Sequence, residues 1–225
     1  MMRRLYFFVP SKVYSVKPIS RLLLAAGSLL LIVTYFVPVW SIDLEAPQYP
    51  EGLGIRIFLH SIGSAQGNDL ESINGLNHYI GMKRIEPDDI PELKMMPYIV
   101  GVFVVFGLLA AAIGKRTFVA IWTATFIAVG CVGMWDFYQW EYDYGHNLDP
   151  HAAIRIEDMN YQPPLIGSKQ LLNFTAHSYP AAGGWIICAS IFSGIAAFYL
   201  GKNAASRPKN TQQTTTVPAP NEVLV

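Results

Sequence analysis

The chain has 225 residues, 16 basic and 16 acidic, and only 14% of its residues are charged. A soluble domain carries about 25% charged residues, so the shortage points to a membrane protein. Zero net charge argues against the basic footprint that nucleic acid requires. The two cysteines, Cys131 and Cys188, both in apolar runs, form no disulfide framework and read as small apolar residues.

In chain order, residues 1–21 form a basic cytoplasmic N-terminus carrying Arg3, Arg4, Lys12, Lys17 and Arg21. The first apolar run, 22–40, starts late and has no small-x-small cleavage site after it, so it reads as a retained span. A loop over 41–96 follows. Within it Ser72-Ile73-Asn74-Gly75 predicts a turn, with a short helix or turn carrying Leu76 to Met82, and Pro87, Pro91 and Pro97 punctuating the approach to the next span. The second span is 97–113, the turn 114–117 holds Lys115 and Arg116, and the third span is 118–135. The third span continues outward through Trp140 and breaks near Gly145. A second loop covers 136–180, the fourth span 181–200, and a Thr/Pro/Asn/Gln-rich tail, 201–225, is expected to be disordered. About 20 residues at 1.5 Å each cross a bilayer core of about 30 Å, and in lipid such runs must be helical.

The fold expected is therefore all-α: a four-transmembrane-helix bundle with two large exported loops that pack together. Each loop has room for short helices and a strand or two, but is small for a core of its own. Ten of the 16 basic residues fall in 1–21, 114–117 and the tail, against one acid, Glu222, while the loops hold six basic residues and fifteen acids. Positive residues stay inside, so both termini are expected in the cytoplasm and both loops outside. Trp40, Trp135 and Trp140 at the outer ends fit an interfacial aromatic belt.

All five histidines lie in the loops, as do most methionines. His78 and Met82 are four residues apart and share a face if helical. Met95 and Met96 add two thioethers at the start of the second span. Thioethers select Cu(I) and imidazole suits copper, so His78, Met82, Met95 and Met96 are the first candidate metal ligands. His60, His146, His151, Met159 and His177 are second. The bland reading of each is a loop histidine bonded to backbone or a methionine opening a span. His146 and His151 flank Asp149-Pro150 without a familiar zinc spacing. Asp136, Glu141 and Asp143 form no calcium loop and read as solvated charges among aromatics. Asn173-Phe174-Thr175 matches a glycosylation sequon, informative only in a eukaryotic host. The chain has no phosphate-binding Gly/Lys loop, nucleophile elbow or paired-cysteine motif, which leans against an enzyme. No acid or base lies in mid-span, which argues against a proton-coupled transporter. No span holds a histidine for axial haem ligation.

Two stretches carry a resemblance: Ile73-Asn74-Gly75-Leu76-Asn77-His78-Tyr79-Ile80-Gly81-Met82, and the run from Tyr161-Gln162-Pro163-Pro164 to Leu172-Asn173-Phe174. They resemble small bacterial membrane proteins encoded beside the maturation genes of the clade II nitrous-oxide reductase. The resemblance implies a plasma-membrane accessory protein that supplies copper to, or assembles, an exported copper enzyme. The partners expected are the lipid bilayer and a membrane or periplasmic protein. The alternative is a metal-free scaffolding tetraspan subunit whose loops dock a partner.

Overall fold

The computed structural model describes residues 16–154, 156 and 160–201. The expected disordered tail, beyond residue 201, and Met159 lie outside the described residues.

Among the described residues, four helices are long and apolar enough to cross a membrane, as in a multi-pass membrane protein. The first, α1 (Pro18–Leu30), opens with proline in its first turn, where the missing N–H costs nothing, and tightens into a 3-10 turn at Leu31–Tyr35. Two strands follow, β1 (Trp40–Ala46) and β2 (Tyr49–Ile57), then a short β3 (Ile62–Ser64) and helix α2 (Asp69–Ile80). The second spanning helix is α3 (Pro91–Ile113), which contains Pro97, and the third is α4 (Arg116–His146). Strands β4 (Gly167–Leu171) and β5 (Phe174–Pro180) precede α5 (Ala182–Leu200).

The all-α expectation is corrected. The two loops together build one five-stranded antiparallel sheet, ordered β3-β2-β1-β5-β4. The physical reason lies in β1, where Ile42, Leu44 and Ala46 alternate with Ser41, Asp43 and Glu45. That period of two puts one side chain type on each face of a half-buried strand. Neither loop supplies enough strands alone, and β1 pairs across the chain with β5, Trp40 opposite Pro180 and Glu45 opposite Thr175. Trp40 thus belongs to a strand rather than to the end of a span, and its indole N–H donates to Ser178 Oγ at 2.8 Å. The expected turn at Ser72–Gly75 is corrected too: these residues lie inside α2, and the Asn74 side chain clasps both backbone groups of Ile85.

Two cores result. The bundle core holds Leu24, Leu31, Val100, Phe103, Val119, Trp122 and Phe126. Its helices approach closely at small residues, with Gly107 against Ser28 and Gly194 against Trp122. Hydroxyls bond across it, Ser190 donating to Gly27 O at 2.9 Å and Ser193 to Leu23 O at 2.7 Å. The Trp122 indole, fully buried, donates to Phe103 O at 2.9 Å. Cys131 is on the exposed perimeter of the bundle. The second core lies beside the bundle and holds Ile42, Leu53, Ile55, Ile62, Ile73, Ile85 and Leu93. At the opposite end of the bundle the Val16 N–H donates to Gly114 O, and Arg21 donates to Ala111 O and Ala112 O.

Helix α4 joins the two cores. Its 31 residues extend about 46 Å, well beyond a bilayer core. The last turns, from Phe137 on, pack with the sheet and α2.

Candidate functional site

The outer turns of α4 carry Phe137, Trp140, Glu141, Tyr144 and Gly145 at i, i+3, i+4, i+7 and i+8, the spacing of one helical face. That face is turned inward, whereas Asp136, Gln139, Tyr142, Asp143 and His146 are exposed. Trp140 packs on Tyr144 with ring centroids 4.4 Å apart, and Phe137 meets Trp40 edge-on at 5.3 Å. Gly145 admits the returning chain: a Cβ there would lie 2.3 Å from the backbone N of Gln162. The Tyr161 N–H bonds to Gly145 O at 3.0 Å, which lays the Tyr161–Pro163 segment along this face.

Between α4, α2 and the inner face of the sheet is a cavity of about 290 Å³. This is near the small end of the roughly 300–1,000 Å³ usual for ligand pockets. Its walls are apolar: Ile42, Leu44, Leu53 and Ile55 from β1 and β2, Ala176 from β5, and Ile73, Leu76 and Ile80 from α2. Trp140, Met82, Ile85, Ile154 and Leu171 complete most of the enclosure.

One carboxyl faces this interior. Glu141 is 0% exposed, and neither of its oxygens has a protein hydrogen-bond partner. Among the described residues, no lysine, arginine, histidine or aspartate lines the cavity; the other titratable side chains there are Tyr79, Tyr144 and Tyr161. Burial without compensation pushes the Glu141 carboxyl up from 4.5 to about 8, so it is mostly a neutral acid at pH 7. The Tyr161 hydroxyl, on the same cavity, is likewise buried without a partner. Tyr144, by contrast, donates to Arg84 O at 3.1 Å. The reading of Glu141 as a solvated charge is therefore corrected. The i, i+3, i+4 spacing was the signal that could have found it. Its acidic neighbour Asp143 does face solvent, paired with Lys83 Nζ at 2.6 Å, and that partner holds its carboxyl below the ordinary value.

The candidate metal ligands are dispersed. Gly81 closes α2 in the left-handed region at φ 82, and the Met82 N–H bonds back to Asn77 O. The helical face expected to unite His78 and Met82 is broken there: His78 is exposed beside the Tyr79 ring, and Met82 turns into the cavity. Met95 is exposed on α3, whereas Met96 packs against the bundle core. His60 is exposed near Phe58. His146 stacks on Tyr142 at 4.0 Å, its Nδ1 3.0 Å from Tyr142 O. His151 sits against Asp149, whose carboxyl is lowered chiefly by the His151 backbone N–H. His177 lies on the outer face of the sheet, with Nδ1 2.6 Å from Ser168 Oγ and Nε2 3.6 Å from Glu45. Among the described residues, no three His, Cys, Asp or Glu side chains gather as a metal would require.

Comparison with family models and with curated proteins finds no match to this chain.

Proposed function

We propose that the protein is a membrane-anchored binding module that holds a small apolar molecule outside the bilayer, in the cavity beneath its sheet. The carrying observation is that enclosure: a largely apolar space walled by both long loops, with a single buried carboxyl. Burying apolar surface drives such binding. The charge segregation supports an orientation with both termini in the cytoplasm of a bacterium and the sheet domain exported. The role is one of binding rather than catalysis.

The test compares wild type with Ala176→Phe, which fills the cavity from β5. Both are purified, checked by circular dichroism for an intact sheet, and extracted with solvent for mass spectrometry. A small apolar molecule recovered near one equivalent from wild type and lost from the variant supports the reading. Equal recovery from both overturns it.

The accessory role in assembling an exported copper enzyme is a second reading. It is favoured by the confinement of all five histidines to the loops and by the Met82 thioether in the cavity wall. Cu(I) titration against a competing chelator tests it. An affinity unchanged in the His78→Ala, Met82→Ala double variant removes that pair as the site.

A further inference from the structure

The apolar cavity leaves one question that its walls answer: what kind of polar end its occupant carries. Resting on the binding reading above, we infer that the cavity takes an apolar molecule with one neutral hydrogen-bond-accepting head, a carbonyl-class oxygen, held by the protonated Glu141 carboxyl and the Tyr161 hydroxyl.

Both side chains line the same cavity, both are buried, and neither has a protein partner. A protonated carboxyl and a phenol each present an O–H donor. A buried donor left unpaired costs free energy comparable to a lost hydrogen bond, and orphaned acceptors are tolerated better than orphaned donors. A carbonyl oxygen has two lone pairs and accepts from both donors without bringing a donor of its own.

A cationic head would have to leave water and also ionise Glu141, so two charges would be desolvated inside the cavity. Among the described residues the wall has no other charged group to share that cost. A buried ion pair recovers such a penalty only with excellent geometry and further hydrogen bonds. An anionic head would meet a carboxyl and, among the described residues, no cation. A neutral acceptor is the head that leaves Glu141 in its uncharged form.

Beyond the Glu141 and Tyr161 groups, the unpartnered Trp140 indole N–H and the side chains of Gln48, Asn77 and Asn173, the wall is mainly Ile, Leu and aromatic carbon, so most of the occupant is hydrocarbon-like.

The whole chain in detergent is titrated with decan-2-one, decane and decylamine, followed by tryptophan fluorescence, since Trp140 is part of the wall. Wild type is expected to bind the ketone about tenfold tighter than the alkane, the worth of one hydrogen bond in an apolar site. Glu141→Gln keeps a neutral donor and retains the preference. Glu141→Leu narrows the ketone advantage, with the decane affinity unchanged. Tyr161→Phe, which removes a single hydroxyl, reduces the ketone advantage and is the independent variant should Glu141→Leu fail to fold. Wild type that binds decane and decan-2-one equally overturns the head-group inference and leaves the apolar pocket standing. Decylamine binding tightest, with its advantage lost in Glu141→Gln, also overturns it, in favour of an ion pair. Loss of the ketone preference in Glu141→Gln overturns the neutral-donor role. If no probe binds wild type, the pocket reading fails and the inference falls with it.

Discussion

Replacing Glu141 by glutamine should change how stability depends on pH more than any other single substitution in the sheet domain. The carboxyl is fully buried and unpartnered, and its pKa rises from 4.5 in an unfolded chain to about 8 in the fold. Between those values the folded state holds a proton that the unfolded state has lost. Stability contributed by the neutral acid is therefore complete below about pH 4.5 and is lost as pH rises toward 8. At ~1.36 kcal/mol per pKa unit, the loss is about 3 kcal/mol by pH 7 and approaches roughly 5 above pH 8. That is a large share of the roughly 5–15 kcal/mol that holds a domain together. Glu141→Gln keeps the shape and cannot ionise, so it lacks this slope. The assay is chemical unfolding of wild type and variant in detergent at pH 5, 6, 7 and 8. The two should lie closest at pH 5, with wild type falling progressively below the variant thereafter. Taking the difference cancels the other titrating groups, including the Lys83–Asp143 pair one turn away. Parallel curves across the whole range would refute the reasoning, because they would mean that Glu141 ionises at no cost.

Three further outcomes follow from packing and hydrogen bonding. Gly145→Ala drives a methyl into the Gln162 backbone, which cannot rotate away as a side chain would, and should cost about 1–3 kcal/mol by thermal unfolding; a change under ~0.5 kcal/mol would show that the crossing is loose. Trp122→Ala removes a fully buried ring and its bond to Phe103 O from the bundle core, and should cost about 3–5 kcal/mol in SDS-induced unfolding. Asn74→Ala leaves the N–H and C=O of Ile85 unpaired and should cost about 1–3 kcal/mol. In that variant, hydrogen exchange should rise first at the Ile85 amide, and an unchanged rate there would count against the clasp.

The spanning helices were legible because a run of about 20 apolar residues has no alternative in lipid. The sheet was harder to see. Strand β2 reads Tyr-Pro-Glu-Gly-Leu-Gly-Ile-Arg-Ile, whose proline and two glycines look like a loop, and β4 is Gly-Ser-Lys-Gln-Leu. Such segments become strands through partners, and the central partner of β1 lies in the other loop. The site was hidden differently. Glu141 stands between acids that do face water, and a residue-by-residue reading groups it with them. Only its placement on the face shared with Phe137, Trp140 and Tyr144 separates it from Asp136 and Asp143. The histidine and methionine census located the loops but not the cavity. Of its nine members only Met82 lines that wall, and Met159 lies outside the described residues.

The pairing of β1 with β5 also sets an order of events during synthesis. Trp40 and Pro180 are opposite one another in the sheet, although the ribosome makes one long before the other. At roughly 5–20 residues per second, that interval is on the order of ten seconds. Throughout it β1 has its β2 neighbour but an open edge on the other side, and an unpaired edge is a template for pairing with the wrong chain. The sheet closes only once the segment preceding the last spanning helix has reached the same side of the membrane. Assembly of the domain is thereby tied to completion of the bundle, and a nascent chain halted before β5 would have a floor of helices but no roof.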